Sequence, residues 1–445
     1  MTRIISSEKV ILFFYFLSLI LLGSILLYLP DAWGGEEKLS YIDALFTSVS
    51  AVCVTGLITV DTATYTFFGK LVILLLIQFG GLGIITFTTV FLARPSGRLP
   101  LSSRKITGKY YLEEIEHHPF KIIRNIFIFT IVFETVGAIL LLQSLNLKTG
   151  DGKVFNAIFH SISAFCNAGF SLYSNSLEGY IKTPSVNIVI MILIISGGIG
   201  FLVIQDLSRR ITNVRHKLSF HTKIVLSVTI ALIISGTIGY FLFENNGLLK
   251  NLSTGEKLLT SLFQSVTPRT AGFNTLPQAE LSTSSKILTL PLMFIGGAPG
   301  SIAGGIKVTT FFLVLTLALV GVDERGELRV GNRKVNAKLL TDATVFAVKA
   351  IMILFTSVFL LTITEHIAGR KEGSRFLEIL FESFSAFGTV GLSLGVTPEL
   401  TLPGKGIIIF TMFAGRVGLI SMAMPLPDRQ IERVIDYPEG EVMIG

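Results

Sequence analysis

The sequence is poor in charged residues and in cysteine, and each shortage narrows the class of protein. Only 15% of its 445 residues are charged, whereas soluble domains carry about 25%. This shortage, together with long apolar runs, predicts a membrane protein rather than a soluble one. The two cysteines, Cys53 and Cys166, show no zinc-ligand spacing, and we expect both to be free thiols.

Motifs for catalysis and for nucleotide binding are also missing. No phosphate loop or dinucleotide fingerprint lies on a strand–helix unit, and the six histidines have no metal-ligand or catalytic spacing. Glu134 lies within an apolar run without an obvious partner, and we expect His160 to pack rather than to contact an ion. We therefore predict that the chain is not an enzyme and has no covalent cofactor. The net charge of +7 is accounted for by topology and lipid headgroups, so no nucleic-acid partner is expected.

Apolar runs divide the chain into long and short segments. A long segment can cross a hydrocarbon core of roughly 30 Å, whereas about 12 residues of helix reach only ~18 Å. The first long segments lie near 10–29, 122–144, 223–243 and 343–364. The second long segments lie near 70–93, 184–205, 285–320 and 405–425. The short segments between them lie near 41–53, 153–166, 255–267 and 376–387. The pattern predicts eight spans and four half-inserted helices.

A short phrase recurs at the end of each half-inserted helix. It reads Ser-Val-Ser-Ala-Val-Cys-Val-Thr-Gly-Leu at 48–57 and returns in altered form at 161–170, 264–273 and 383–392. Each copy ends in a glycine followed by a large apolar residue, and these glycines are Gly56, Gly169, Gly272 and Gly391. We predict an all-α polytopic membrane protein in which four helix–pore-loop–helix repeats surround one central pore with pseudo-fourfold symmetry. The predicted repeats cover 1–100, 101–216, 217–330 and 331–425, and a tail follows at 426–445.

The four glycines fit an ion path lined by backbone carbonyls. A cation that crosses lipid must lose most of its water, and rings of carbonyl oxygens can replace that shell. Glycine permits the backbone angles that aim successive carbonyls inward. The negative end of each short helix would also face the cation. Close packing of small residues between helices is the alternative explanation.

The distribution of basic residues predicts the orientation in the membrane. Lys and Arg are more numerous in the N-terminus, in the loops 94–124, 209–223 and 325–349, and in the C-terminal tail than on the opposite side. By the positive-inside rule this side is cytoplasmic. We therefore expect both termini in the cytoplasm, with membrane lipid around the spans.

The phrases and the order of segments resemble the membrane subunit of the Ktr/Trk/HKT superfamily of potassium transporters along nearly the whole chain. The resemblance implies a bacterial plasma-membrane protein that translocates potassium and is selective through one glycine in each repeat. Some family members that favour sodium have serine at the first position, where this chain has Gly56. The carbonyls that would hold the ion belong to Val54, Thr55, Asn167, Ala168, Thr270, Ala271, Thr389 and Val390.

The same resemblance implies partners. These are a second copy of the chain, with the C-terminal tails near the dimer contact, and a separate cytosolic ring of nucleotide-binding regulatory subunits of the KtrA type. Sodium coupling stays open. Two alternatives are a sodium/potassium-permeable transporter of the same superfamily and an alternating-access carrier with broken helices. The fourfold repetition argues against the carrier, because carriers usually show paired repeats.

The third repeat departs from the other three. Phe46, Phe159 and Phe381 lie ten residues before their glycines, whereas Phe263 lies nine before. Pro268 and Arg269 also precede the third glycine, and a cation that pointed into the pore would oppose potassium. We expect Arg269 to lie behind the filter as a brace, directed toward carbonyls or toward a carboxylate such as Glu382.

The second long segment of the third repeat is too long and too rich in glycine for one helix. Its 36 residues would extend about 54 Å as a straight helix, and its middle opposes continuous helix. We predict two half-helices joined by a loop, with a kinked helix as the alternative. The family has a mobile intramembrane loop here, which makes these residues the candidate gate: Gly296, Gly297, Ala298, Pro299, Gly300, Ser301, Ile302, Ala303, Gly304 and Gly305.

Two cations lie near this candidate gate. Lys307 adjoins the end of the loop, and Arg416 lies within the last apolar run. A charged residue at mid-span costs about 2.5–3.5 kcal/mol on insertion scales unless it finds water or a partner. Arg416 could snorkel as a structural residue, but the family resemblance supports contact with the gating loop.

Overall fold

A computed structural model describes residues 8–93, 119–144, 152–322, 328–331, 333–368 and 376–418. Part of the predicted cytoplasmic loop at 94–124 and the whole tail at 426–445 lie outside these residues. In the described part of the chain the architecture is almost entirely helical. The prediction of an all-α protein missed one small antiparallel hairpin, in which Leu328–Val330 pairs with Arg333–Val335.

The helices follow the predicted order of long and short segments. We number them α1 Glu8–Tyr28, α2 Tyr41–Val52, α3 Phe67–Ala93, α4 Pro119–Ser144, α5 Lys153–Phe165, α6 Pro184–Gly198, α7 Phe201–Thr212, α8 Phe220–Glu244, α9 Thr254–Val266, α10 Thr283–Phe294, α11 Val308–Val320, α12 Ala337–Ile367, α13 Phe376–Gly388 and α14 Leu402–Phe413. One π-helical turn, Ala414–Gly418, follows α14. The short helices predicted from the sequence are α2, α5, α9 and α13, and each has the expected position.

Five described helices are long and apolar enough to cross a membrane. They lie in α1, α3, α4, α8 and α12. The pair α6 and α7, which is bent by 106° at its junction, meets the same test when its two helices are taken together and raises the number to six. Of the eight predicted spans, 285–320 is divided into α10 and α11, as expected, and 405–425 lies partly outside the described residues. The prediction of a span at 184–205 did not include this bend. The break lies at Gly200, whose φ of +89° favours glycine.

Each short helix packs its aromatic anchor into the interior of the bundle. The four predicted phenylalanines, one per short helix, are completely buried, and they are Phe46, Phe159, Phe263 and Phe381. Because lipid tails are as apolar as these side chains, their burial stabilises the bundle through close packing rather than through removal from water. These anchors fix the depth of the short helices, and thereby the place where the chain turns back.

Hydroxyl groups tie three of the short helices to the preceding long helix. Ser48 donates to the carbonyl of Ile20 at 2.8 Å, and Ser161 donates to that of Glu134 at 2.7 Å. Ser265 makes the equivalent bond at 2.8 Å to a carbonyl of α8. In the fourth case Ser383 bonds within its own helix instead. The fourth short helix is therefore joined to its long helix without this bond.

Candidate functional site

The four glycines predicted to form a filter meet in a closed ring. A Cβ on Gly169 would lie 2.9 Å from Cα of Gly272, and one on Gly272 would lie 3.3 Å from Cα of Gly391. A Cβ on Gly391 would lie 3.0 Å from Cα of Gly56, and one on Gly56 would lie 3.3 Å from Cα of Gly169. Each glycine thus touches its neighbours in chain order, and the last touches the first. Residues more than 100 positions apart are brought within van der Waals contact here.

Carbonyl oxygens fill the space beside these glycines. We call the segment in which the chain turns back after each short helix, and which contains one ring glycine, a return. The carbonyl that precedes one glycine always lies against the glycine of an adjacent return. The pairs are Thr55 with Gly391, Ala168 with Gly56, Ala271 with Gly169 and Val390 with Gly272. Any side chain at a ring glycine would collide with such a carbonyl. Glycine is therefore required for space as well as for conformation.

The backbone at the ring is left-handed at two alternate positions in each return. The ring glycines have φ values of +91°, +69°, +78° and +92° in chain order. The residues two positions earlier are also left-handed, at Val54 (+55°), Asn167 (+57°), Thr270 (+71°) and Thr389 (+49°). Such φ values are rare for residues other than glycine and are outliers for β-branched side chains. Each costs on the order of 1–3 kcal/mol, and such strain clusters at functional sites.

A hydroxyl near the end of each short helix fastens the return, a feature that the sequence analysis did not single out. Ser50 and Ser385 accept from the N–H of their ring glycines at 3.0 and 3.1 Å. Ser163 donates to the carbonyl of Phe170 at 2.8 Å, and Thr267 donates to that of Phe273. The hydroxyl lies six residues before the glycine, or five in the third return, so a deletion of one residue explains the shorter Phe263 spacing.

Arg269 lies behind the third return and bonds the candidate gating loop. It is 8% exposed, and its Nη2 donates to the carbonyl of Gly296 at 3.2 Å and to Oγ1 of Thr229 at 3.5 Å. A cavity of about 20 Å³ beside it has room for one water molecule. The suggested partner Glu382 was wrong, because that carboxylate accepts from Ser393 and from Thr397 instead.

The candidate gating loop is a non-helical segment at 295–307 between α10 and α11. Its two ends pair, since Gly296 N donates to Ile306 O at 2.8 Å and Ile306 N donates to Phe294 O at 3.0 Å. This parallel bridge closes the loop at its base. All residues from 295 to 306 are buried except Pro299, which is half-buried. The sequence prediction of two half-helices with a loop between them agrees with this arrangement.

The break between α6 and α7 is occupied by this loop. Ala298 N donates to Gly198 O at 2.9 Å, and Phe201 N donates to Gly300 O at 3.0 Å. A further bond joins Ile302 N to the carbonyl of Gly197 at 3.2 Å. The backbone groups that the helix break leaves unpaired are therefore satisfied by the loop. The sequence analysis did not foresee this pairing.

Arg416 contacts the middle of the candidate gating loop. It is 2% exposed, and its Nη1 donates to the carbonyl of Ile302. Within the described residues its Nε and Nη2 have no hydrogen-bond partner. Lys307 donates to the carbonyl of Ala303 at 2.6 Å, which is a bond within the loop itself. Arg416 is thus a buried loop contact rather than a snorkelling residue.

The loop also reaches the first and fourth predicted repeats. A Cβ on Gly81 of α3 would lie 3.4 Å from the side chain of Ile302, and one on Gly304 would lie 2.7 Å from the carbonyl of Gly388. With the bonds to Gly198 and Arg269, the loop touches elements from all four predicted repeats.

The buried carboxylate Glu134 has partners that the sequence did not reveal. Gln78 of α3 donates to Glu134 at 3.1 Å, and the thiol of Cys166 lies 3.9 Å from its other oxygen. Cys53 and Cys166 are both free thiols, as expected. The Glu134 cluster joins α3, α4 and the second short helix in the interior of the bundle.

The fold and the ring define a class: a membrane helix bundle in which four returning segments of backbone meet at glycines. The chain belongs to the TrkH cation transport protein family, whose model matches residues 3–430. It is 40% identical to the Ktr system potassium uptake protein B of Bacillus subtilis, over 97% of this chain and 95% of that protein. It is 37% identical to the potassium/sodium uptake protein NtpJ of Enterococcus hirae, over 97% and 95%.

A solved structure shares the fold. The potassium transporter TrkH from Vibrio parahaemolyticus superposes with a TM-score of 0.75 over 94% of this chain and 84% of that chain. The identity between the two is 20%, so this likeness concerns the fold alone. Together with the apolar helices, the family assignment defines a multi-pass membrane transport protein, not an enzyme.

Proposed function

We propose that the chain is the potassium-translocating subunit of a Ktr-type uptake system. The observation that carries the proposal is the closed ring of four glycines with a neighbouring carbonyl against each one. Four strained returns that end four short helices supply carbonyl oxygens and negative helix ends around one axis, as a dehydrated cation requires. In this proposal the four repeats form a pseudo-fourfold pore, and potassium is held by the carbonyls of the residues that precede each ring glycine.

The loop at 296–305 is the gate in this proposal. It lies against the end of α13 at Gly388, three residues before the ring glycine Gly391, and is held by Arg416 and Arg269. Its hydrogen bonds to Gly197 and Gly198 involve none of the ring glycines. Arg269 serves as a brace that joins the third return to the start of the gate, and Arg416 adds positive charge beside the passage.

The partners and the orientation belong to the same proposal. The Ktr name of the Bacillus relative supports a system of more than one subunit. We assign to it a membrane homodimer and a cytosolic nucleotide-binding ring of the KtrA type. Both termini lie in the cytoplasm of a bacterial cell, because the basic loops are on that side.

Sodium is a second candidate substrate or coupling ion. The Enterococcus relative is named for potassium and sodium uptake, which supports a sodium/potassium-permeable transporter as the alternative function. The glycine at position 56 favours potassium selectivity. An alternating-access carrier is less well supported, because the returns meet in one closed ring rather than in two paired halves.

The test uses bacteria that lack potassium uptake. The full chain is expressed with and without a regulatory subunit, and growth at low potassium and the ratio of potassium to sodium uptake are measured. We expect the wild type to restore growth and Gly56→Ser to shift the uptake ratio toward sodium. Failure to restore growth in either setting would count against potassium uptake. An unaltered ratio in Gly56→Ser would remove the filter assignment.

A further inference from the structure

The residue that follows the buried phenylalanine of each short helix is polar and buried in all four cases. These residues are Thr47, His160, Gln264 and Glu382, and none is more than 1% exposed. A buried polar side chain must find a partner or lose about 1–3 kcal/mol. Each of the four bonds the chain that leaves the ring, but the contacts are of two kinds.

In the second and fourth returns the polar residue hydrogen-bonds the chain two and three residues after the ring glycine. We call this contact a grip. Nε2 of His160 lies 3.0 Å from the hydroxyl of Ser171 and accepts from Leu172 N at 3.4 Å. A carboxylate oxygen of Glu382 accepts from the hydroxyl of Ser393 and from the backbone N–H three residues after Gly391, at 3.3 Å. The same two places, two and three residues beyond the glycine, are thus held by two chemically different side chains.

The bond from Leu172 fixes the state of the histidine. Because Nε2 accepts the Leu172 N–H, that nitrogen carries no proton. Nδ1 therefore carries it and donates to the carbonyl of Asn156 at 2.8 Å. Tyr173 stacks on the imidazole with ring centroids 4.9 Å apart and keeps it in place. His160, which the sequence suggested as a packing residue, is a directed acceptor.

In the first and third returns the contact is more distant. Thr47 accepts from the hydroxyl of Tyr65 at 3.2 Å, nine residues beyond Gly56. Gln264 donates to Gln278 at 2.9 Å, six residues beyond its glycine. Neither side chain holds the first residues after the ring.

We infer that His160 and Glu382 are an opposed pair of positioning residues that set the width of the ring. Gly169 and Gly391 are not successive in the ring, so the two grips hold opposite sides of it. Ion selection by carbonyls depends on where the oxygens lie, and supporting residues must hold such a site within about 0.5 Å. The first and third returns lack this grip, so the opposed pair controls the distance across the ring between Gly169 and Gly391. This inference rests on the proposed function of the ring.

The test compares potassium and sodium flux through the full-length chain in liposomes. His160→Phe keeps an aromatic side chain that can stack on Tyr173 but removes the hydrogen-bond acceptor, whereas His160→Gln restores an acceptor oxygen. Glu382→Leu and Glu382→Gln form the equivalent pair. Thr47→Val is the matched control, because it removes a hydroxyl from the same position of a helix without the grip. The readout is the potassium-to-sodium flux ratio, which does not depend on how much protein is folded.

We expect His160→Phe and Glu382→Leu to lower the ratio roughly five- to tenfold, the Gln variants to recover part of it, and Thr47→Val to leave it unchanged. An unchanged ratio in His160→Phe, or an equal fall in Thr47→Val, overturns the inference. If Glu382→Leu carries no flux of either ion, the His160 variants decide alone. Gly56→Ser is measured beside them: a shifted ratio there with unchanged ratios in the paired variants rejects the grips and leaves the filter intact.

Discussion

The glycine ring and the loop at 295–307 are both irregular backbone inside a helical bundle, but they are held in different ways. The ring is built from four similar returns, each bonded to its own short helix, and it closes by backbone contacts. The loop occurs once and is held mainly by groups of other elements, including two arginines. The ring is therefore held by contacts within and between the four returns, whereas the loop depends on contacts with elements outside it.

The substitution with the largest expected effect is one that disturbs the glycine ring. In Gly391→Ala the new Cβ meets the carbonyl of Thr55, and the residue has φ +92°. Strain of about 1–3 kcal/mol corresponds to roughly 5–150-fold, so we expect a loss of this size in potassium-to-sodium preference. Gly406→Ala on α14 is the control, since its Cβ meets no atom within 4 Å. Equal flux ratios in the two variants would contradict the ring as the selective element.

The second prediction releases the loop and leaves the ring intact. Arg416→Ala removes the hydrogen bond to Ile302 O, and a bond from a charged donor contributes about 1.5–3 kcal/mol. We expect cation flux without the regulatory subunit to rise roughly tenfold, with the ion preference retained. Arg416→Lys keeps the charge and should show a smaller rise. Unchanged uptake kinetics and gating in Arg416→Ala would show that Arg416 does not hold the gate.

A smaller effect is expected where ring and loop meet. Arg269→Gln removes the charge and weakens the bond to Gly296 O, which measures 3.2 Å. Because Arg269 adjoins the third return, we expect changes of up to roughly fivefold in both flux and ion preference. Parallel flux measurements with both ions would detect them. A change in flux alone would assign Arg269 to the gate and remove its role as a brace of the filter.

The smallest prediction concerns the support of the third short helix. The backbone N–H and then the hydroxyl of Ser253 hydrogen-bond Glu256 and hold its pKa below the ordinary value of 4.5. A lowered carboxyl pKa stabilises the fold above the unfolded pKa, and this contribution is lost as pH falls through the folded pKa. We expect Glu256→Gln to lower the Tm slightly at pH 7 and to have a smaller effect as pH falls below the ordinary pKa of 4.5. A Tm difference that persists at the lower pH would exclude this linkage.

Much of the candidate site was predictable, because it depends on patterns of residues that lie close together in the sequence. The short apolar segments predicted four short helices, and the glycine-rich run predicted two half-helices joined by a loop, as the structure has them. The kink of 106° at Gly200 was not predictable, because the groups that satisfy it come from a loop about a hundred residues away. Arg269 does contact a carbonyl, as one of the two expectations had it, but which carbonyl, and the partners of Glu134, were missed for the same reason.

The sequence by itself determined that the chain is apolar, that four short segments end in glycine, and that the third differs from the rest. These properties follow from composition and from local spacing, which act over a few turns of helix. Only the tertiary structure decided that the four glycines close a ring, that the loop pairs with the broken helix, and that His160 and Glu382 grip opposite sides. Such contacts join residues far apart in the chain, so they depend on how the helices pack.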